Sequence, residues 1–309
     1  MQRPADVNYT FSAAEIDLIR PYGEVRAHEE GAVLFSEGDR QIDLLVTLSG
    51  ETHIVVPTKD GPQRLGWMEA GQFTGDVGIL AGQATLATTT MGKAGEVLHV
   101  SYANLLRLLA ESPAISDILI RTFTARRAFQ HHRGTGAVVV LGPAYDRGVF
   151  TARDLLSKHN VAHNWFDPDQ TEIGRRVMEA KGLTAADLPA VVLGESRILV
   201  RPGVVELSEA LGLDLIPDDA SADVIVVGAG PGGLAAAVYA ASEGLSVVTV
   251  DAEGPGGQAG TSSKIENSLG FPTGVSGREL ASRAAVQAQK FGVRMATPAK
   301  AAALDRLDD

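Results

Sequence analysis

Apolar residues follow three different rhythms along this chain, and each change of rhythm predicts a change of architecture. Ser12, Ala13, Ala14 and Glu15 have the spacing of a capping box, which starts a short helix through Ile16 and Ile19. From Glu24 to Val100, short runs of Val, Ile, Leu and Thr alternate with turn formers at Gly31, Gly38-Asp39, Gly50, Asp60-Gly61, Gly71, Gly82 and Gly95. Turn signals at that spacing predict an antiparallel barrel or roll. Ser101 and Ser112-Pro113 then begin two helices, the second carrying Ile115, Ile118, Leu119 and Phe123 at helical spacing. The stretch His131, His132, Arg133, Gly134 has no apolar periodicity and reads as a linker. Its adjacent histidines point apart and have no carboxylate cluster near them, so they are read as solvated rather than as a metal pair.

The second rhythm opens on Ala137 to Leu141, a continuous apolar run expected for a strand buried on both faces. A helix follows, then a strand over Ala162 to Phe166, a helix containing Ile173 and Val177, strands over Ala190 to Leu193 and Ile198 to Val200, and a closing helix to Leu211. The order is βαβαββα, one mixed sheet with helices on both faces. The third begins after an acidic, proline-containing hinge at Ile216 to Ala222, where Asp218-Asp219, like Asp308-Asp309, are solvated acids. Asp223 to Val227 predicts a strand, Gly232 to Glu243 an Ala-rich helix, Leu245 to Val250 a second strand and Gly292 to Thr297 a third. The chain thus divides into segments 1–133, 134–215 and 221–309.

Composition narrows what these segments can do. A hydrophobic fraction of 45% with 21% charged residues is that of folded globular protein. A net charge of −11 repels phosphate backbones and acidic lipid surfaces, which argues against a nucleic-acid or membrane partner. No stretch approaches the ~20 apolar residues of a bilayer span. Met1 to Thr10 lacks the pattern of a secretory signal, so a cytoplasmic location is expected by default. The sequence has 0 cysteines, which excludes disulfides, thiolate metal sites and a redox dithiol within these residues.

Chemistry concentrates at Gly228-Ala229-Gly230-Pro231-Gly232-Gly233, directly after a strand and directly before a helix, the context that gives GxGxxG its meaning. Gly228 permits the tight turn, Gly230 lets backbone approach a pyrophosphate, and Gly233 lets helix and strand pack closely. The helix N-terminus, with Pro231 and Gly232 in its first turn, offers N–H groups to the phosphates, while Ala235, Ala236 and Ala237 keep the sheet-facing side thin. Asp251, about 20 residues on, is placed to accept from ribose hydroxyls and to disfavour a phosphorylated ribose. This fingerprint fits FAD and NAD alike.

The residues that follow carry a more specific likeness. Gly256-Gly257-Gln258-Ala259-Gly260-Thr261, Ile265-Glu266-Asn267 and Gly270-Phe271-Pro272 resemble the FAD domain of low-molecular-weight thioredoxin reductases. That resemblance implies a Rossmann-like fold, FAD as cofactor, Gln258 and Asn267 on the flavin or its ribityl chain, and Gly256 and Gly257 allowing close approach. It further implies that the chain stops inside the first FAD segment, before the NADPH domain with its cysteine pair. Disulfide reduction by these residues alone is then not expected, and no catalytic residue is named. NADPH is expected only in a longer parent chain. Members of that family are dimers and reduce thioredoxin-like partners.

Two further likenesses complete the sequence picture. The βαβαββα segment resembles a thioredoxin-like domain whose reactive loop, here Gly142-Pro143-Ala144-Tyr145-Asp146, has no thiol and whose cis-proline position falls at Leu188-Pro189. A spacer or docking role is expected of it. Gly31, Leu34, Phe35, Glu37-Gly38-Asp39, Leu48-Ser49-Gly50 and Gly71-Gln72-Phe73 resemble the cyclic nucleotide-binding β-roll. There a short helix start, matched by Gly75-Asp76-Val77-Gly78, takes the cyclic phosphate and an acid takes the 2′-hydroxyl. The family's phosphate-neutralising Arg would fall near Thr85, and no Arg stands between Arg64 and Lys93. Its loss costs ~1.5–3 kcal/mol of charge-assisted bonding, or leaves the roll a docking module with an empty cassette. The fold expected is therefore multidomain: an all-β roll with helices, an α/β thioredoxin-like segment, and a partial α/β Rossmann-like FAD domain. An oxidoreductase is the first functional expectation, and a non-enzymatic regulator sensing a cyclic nucleotide is the second. A yellow chain favours the first, and a colourless one that binds cyclic nucleotide the second.

Overall fold

The computed structural model describes residues 5–56, 63–133, 138–194, 197–213 and 221–305. Two compact units emerge, residues 1–212 and 213–309. The expected features at Asp60-Gly61, Gly134 to Ala137, Asp218-Asp219 and Asp308-Asp309 lie outside the described residues.

The first unit opens with α1 (Ala13–Ile19), whose capping box is closed by Ser12 and Glu15. Strands β1 (Glu24–His28), β2 (Val33–Phe35), β3 (Leu44–Thr47), β4 (Glu51–Val56), β5 (Gln63–Met68), β6 (Thr88–Lys93) and β7 (Gly95–Val100) form two antiparallel sheets ordered β1-β7-β3 and β2-β6-β4-β5. Alternation puts Thr89 and Met91 of β6 inside the roll while Thr88 and Thr90 stay half-buried. Three helices complete this part: the one-turn α2 (Val77–Leu80), α3 (Tyr102–Glu111) capped by Ser101, and α4 (Pro113–Arg133). The predicted stripe of α4 is the buried one, with Ile115, Ile118, Leu119 and Phe123 all in the core. Here the sequence reading is corrected, since the backbone of His131, His132 and Arg133 continues α4 as helix instead of forming a linker. Helix propagation adds one hydrogen bond per residue once a nucleus exists, so it needs no apolar partner to run a further turn.

The βαβαββα order is present as β8 (Val138–Leu141), α5 (Arg147–Lys158), β9 (His163–Phe166), α6 (Glu172–Ala180), β10 (Ala190–Leu193), β11 (Arg197–Val200) and α7 (Val204–Ala210). The sheet order is β11-β10-β8-β9, parallel between β8 and β9 and antiparallel elsewhere. Val177 and Met178 of α6 cover Leu141 and Val192, while α5 packs against α7. Leu188-Pro189 is a cis peptide.

The second unit is a parallel sheet, β12 (Val224–Val227), β13 (Val247–Val250) and β14 (Arg294–Ala296), in that order. Helices α8 (Pro231–Ser242) and α9 (Gly277–Lys290) connect the strands and pack on one another, with Leu234, Ala237 and Ala241 facing Ala285 and Ala288 in a shared core. Burial at 234, 237 and 241 follows the helical period, and it leaves Ala235 and Ala236 exposed. Of the three alanines expected to thin the sheet side, only Ala237 does so. Among the described residues no helix is long and apolar enough to cross a membrane.

Candidate functional site

The glycine loop grows out of the pairing of β12 with β13. Gly228 N–H donates to Val250 O (2.7 Å), continuing the ladder one step, and the chain then turns through φ +104° at Gly228, a conformation strained for any residue with a side chain. Gly230 caps α8, and the first helical bond runs from Leu234 N–H to Gly230 O at 2.9 Å. The amides of Gly230, Gly232 and Gly233 precede that bond and therefore have no intrahelical acceptor. A Cβ built at Gly230 or Gly232 would meet no atom within 4 Å, whereas one at Gly233 would lie 1.9 Å from Gly228 O. Thus the first two glycines border open space beside the amides, and the third holds helix against strand. Pro231, at the first helical position, lacks an N–H where none is needed.

Asp251 follows β13 and turns its carboxylate into the loop. Its Oδ2 accepts from Ala229 N–H at 2.8 Å, and its Oδ1 accepts from Glu253 and Gly254 N–H, each at 2.9 Å. Ala229 O in turn accepts from Gly256 N–H at 2.8 Å. The acid is thus the tie that binds the glycine loop to the segment after β13. Gly257 is drawn in with it, because a Cβ there would come 3.2 Å from the Gly230 Cα. Gln258 and Asn267 are exposed, and among the described residues neither side chain bonds the glycine loop.

A second candidate lies in the roll. A cavity of about 360 Å³ is bounded by apolar residues including Phe35, Ile54, Leu65 and Met68 and by the polar groups Asp76, Gln83, Thr85, Thr89, Arg126, Arg127 and Gln130. Its volume is that of a small-molecule site. Gly75 turns through φ +100° against the Phe123 ring, and Val77 is buried behind it. Asp76 caps α2: its Oδ1 accepts from Gly78 N–H (2.8 Å) and Arg127 Nη2 (2.7 Å), and its Oδ2 from Gln130 Nε2 (3.3 Å). Burial pushes the Asp76 carboxyl up, but the Arg127 charge, the Gly78 amide and Gln130 outweigh it and hold the group below its ordinary value of 3.8. Thr85 bonds backbone on two loops, its hydroxyl donating to Ala87 O (2.9 Å) and its amide to Asp39 O (2.9 Å).

The sequence offered no cation for this pocket, and the fold supplies two from α4. Arg126 lies over the Phe73 ring at 4.6 Å and donates to Val7 O (3.0 Å) and Gly75 O (2.8 Å). Arg127 reaches Asp76 and also the Asn160 carbonyl. Cations thus border this pocket although none stands between Arg64 and Lys93. A signal did exist in the sequence: 119, 123, 126–127 and 130 continue the buried stripe of α4, and polar residues occupy its last positions.

Comparison with known proteins divides the chain along the same lines. Residues 25–112 match the cyclic nucleotide-binding domain family, and residues 222–307 match the pyridine nucleotide-disulphide oxidoreductase family. The thioredoxin reductase of Ureaplasma parvum is 49% identical over 59 residues, 19% of this chain and 19% of that protein. That of Bacillus subtilis is 40% identical over 74 residues, 24% of this chain and 23% of that protein. A cyclic nucleotide-binding domain structure from Methylobacillus flagellatus is 26% identical with a TM-score of 0.33, covering 38% of this chain and 68% of that one. The chain spans only 19% and 23% of the length of these two thioredoxin reductases. It carries a cyclic nucleotide-binding domain, followed by an oxidoreductase domain that is thioredoxin reductase-like.

Proposed function

We propose that residues 222–305 hold the ADP half of FAD in a disulfide oxidoreductase of the thioredoxin reductase type, regulated by an N-terminal roll that senses a cyclic nucleotide. One observation carries the cofactor reading: open space at Gly230 and Gly232 stands beside the three amides that have no helical acceptor. A diphosphate placed there would meet N–H donors and the positive end of the α8 dipole without a side chain in its way. Asp251, tied to Ala229 at the edge of that space, adds a negative charge that favours a plain ribose over a phosphorylated one. FAD rather than NAD is supported by the Gly256-Gly257-Gln258 segment, whose Gly256 amide bonds Ala229 O and whose Gly257 borders Gly230. FAD, when bound, supplies two-electron transfer between a nicotinamide and a disulfide. These 309 residues contain 0 cysteines, so in this reading the dithiol is not among them.

The βαβαββα segment is read as a thioredoxin-like spacer or docking module without redox chemistry, since the loop after β8 holds Tyr145 and Asp146 where such domains carry thiols. The roll cavity, with Asp76 and two arginines, supports the regulatory half of the reading. The purely regulatory alternative keeps the same cavity but leaves the glycine loop structural.

Calorimetric titration with ADP, FAD and 2′-phosphorylated ADP tests the cofactor reading. ADP and FAD should bind, the 2′-phosphorylated compound should bind at least about tenfold more weakly, and Gly230→Val should abolish all three. Binding of ADP by Gly230→Val at the original affinity would place the ligand elsewhere and sink the proposal. Parallel titration with cyclic AMP and cyclic GMP tests the roll.

A further inference from the structure

Arg127 holds two parts of the first unit at once. Its Nη2 is bonded to Asp76 in the roll, and its Nη1 to the carbonyl of Asn160, in the turn between α5 and β9. Its side chain is only 12% exposed, and its Nε is buried without a hydrogen-bond partner. Thr89, 1% exposed, has an unpartnered hydroxyl as well. Both residues line the same cavity. Such groups cost free energy unless a partner arrives. Arg126, the neighbouring cation, donates to Val7 O and Gly75 O and lies over the Phe73 ring.

The contacts made by the βαβαββα segment fall on this same corner of the roll. Gln83 Nε2 donates to His159 O (3.2 Å), Ala84 N–H to Leu211 O (3.1 Å) and Arg40 Nη2 to Gly212 O (2.7 Å). Val161, Ala162 and Leu211 close the cavity from that side. Gln83 and Ala84 stand next to Thr85, where the loop has no cation of its own.

We infer that Arg127 is the cation for an anionic ligand in the roll cavity, and that engaging the ligand draws it off the Asn160 carbonyl, loosening the α5–β9 turn from the roll. The ligand class is a phosphate monoanion on an apolar body, to suit the apolar lining, with an acceptor for Thr89. Asp76 keeps its donors Gly78 and Gln130, and Arg127 Nη2, when the Asn160 bond is given up. The inference rests on the ligand-sensing reading of the roll, and the two fail separately.

Hydrogen exchange on the full chain, with and without cyclic AMP, cyclic GMP or inorganic phosphate, provides the test. Losing a bond to a charged group should speed exchange at residues 159–162 by about 10- to 100-fold. The amides of Leu44–Thr47, buried in the roll core, should stay protected and report that the roll is folded. Arg127→Gln should open residues 159–162 without ligand and cancel any further response. Arg127→Lys, which keeps charge but loses the two-pronged reach, should do the same if Arg127→Gln does not fold. A cyclic nucleotide that binds by calorimetry yet leaves residues 159–162 unchanged overturns the coupling and spares the ligand reading. If no probe binds, the ligand reading falls, and unchanged exchange at residues 159–162 in the folded variants overturns the link to Asn160 too.

Discussion

Two glycines three residues apart should respond to alanine in opposite ways. A Cβ at Gly233 would stand 1.9 Å from Gly228 O, well inside contact distance, with Gly228 C at 3.0 Å. Neither atom can yield, because Gly228 is tied to Val250 and is already at φ +104°. Helix α8 must therefore retreat from β12 by more than an ångström, opening the core around Leu234 and Ala237, each 0% exposed. By analogy with overpacked cores, Gly233→Ala should cost about 3 kcal/mol or more. At Gly230 the same methyl meets nothing within 4 Å, and φ −70° suits alanine. Poorer capping by Ala and reduced freedom of the unfolded chain nearly cancel, so Gly230→Ala should fall within about 1 kcal/mol of the parent. Both tryptophans, Trp67 and Trp165, lie in the first unit, so fluorescence does not report on this site. Hydrogen exchange at Val247–Val250, a fully buried strand, does. Protection there should drop by about 100-fold or more in Gly233→Ala and by at most about fivefold in Gly230→Ala. Equal losses in the two variants would refute the claim that only one of these glycines is packed.

Other substitutions probe neighbouring claims. Thr249 is 0% exposed with an unpartnered hydroxyl, so Thr249→Val should stabilise the second unit by about 1 kcal/mol, read as slower exchange in β13; faster exchange would mean the hydroxyl has a partner. Asp251→Asn cannot accept from three amides with both oxygens, so ADP binding and protection of the Ala229 amide should weaken together; loss of binding with the amide still protected would separate the ribose role from the loop role. Asp76 is held below 3.8, so its contribution is fully present above that pH and is lost as pH falls through the lower folded value. Urea midpoints followed by tryptophan fluorescence should therefore fall between pH 4 and pH 2 more steeply in the parent than in Asp76→Asn, and parallel curves would remove Asp76 from the acid response.

What could be read from the sequence was whatever neighbouring residues decide among themselves. The capping box at Ser12, the helix starts at Ser101 and Pro113, the turn at Gly228 and the βαβ order all follow from signals a few residues wide, since caps, turns and periodicity act at that range. The fates of Arg126, Arg127 and Asp251 did not follow. Asp76 and Arg127 are 51 residues apart, and Asp251 and Ala229 are 22 apart, so each bond exists only because separate elements have been packed into place. An arginine near the end of a helix looks like a solvated charge until another element closes over it. The sequence could show that the cassette loop lacks a cation. Only tertiary packing, which makes charges meet irrespective of chain distance, could bring Arg126 and Arg127 from α4.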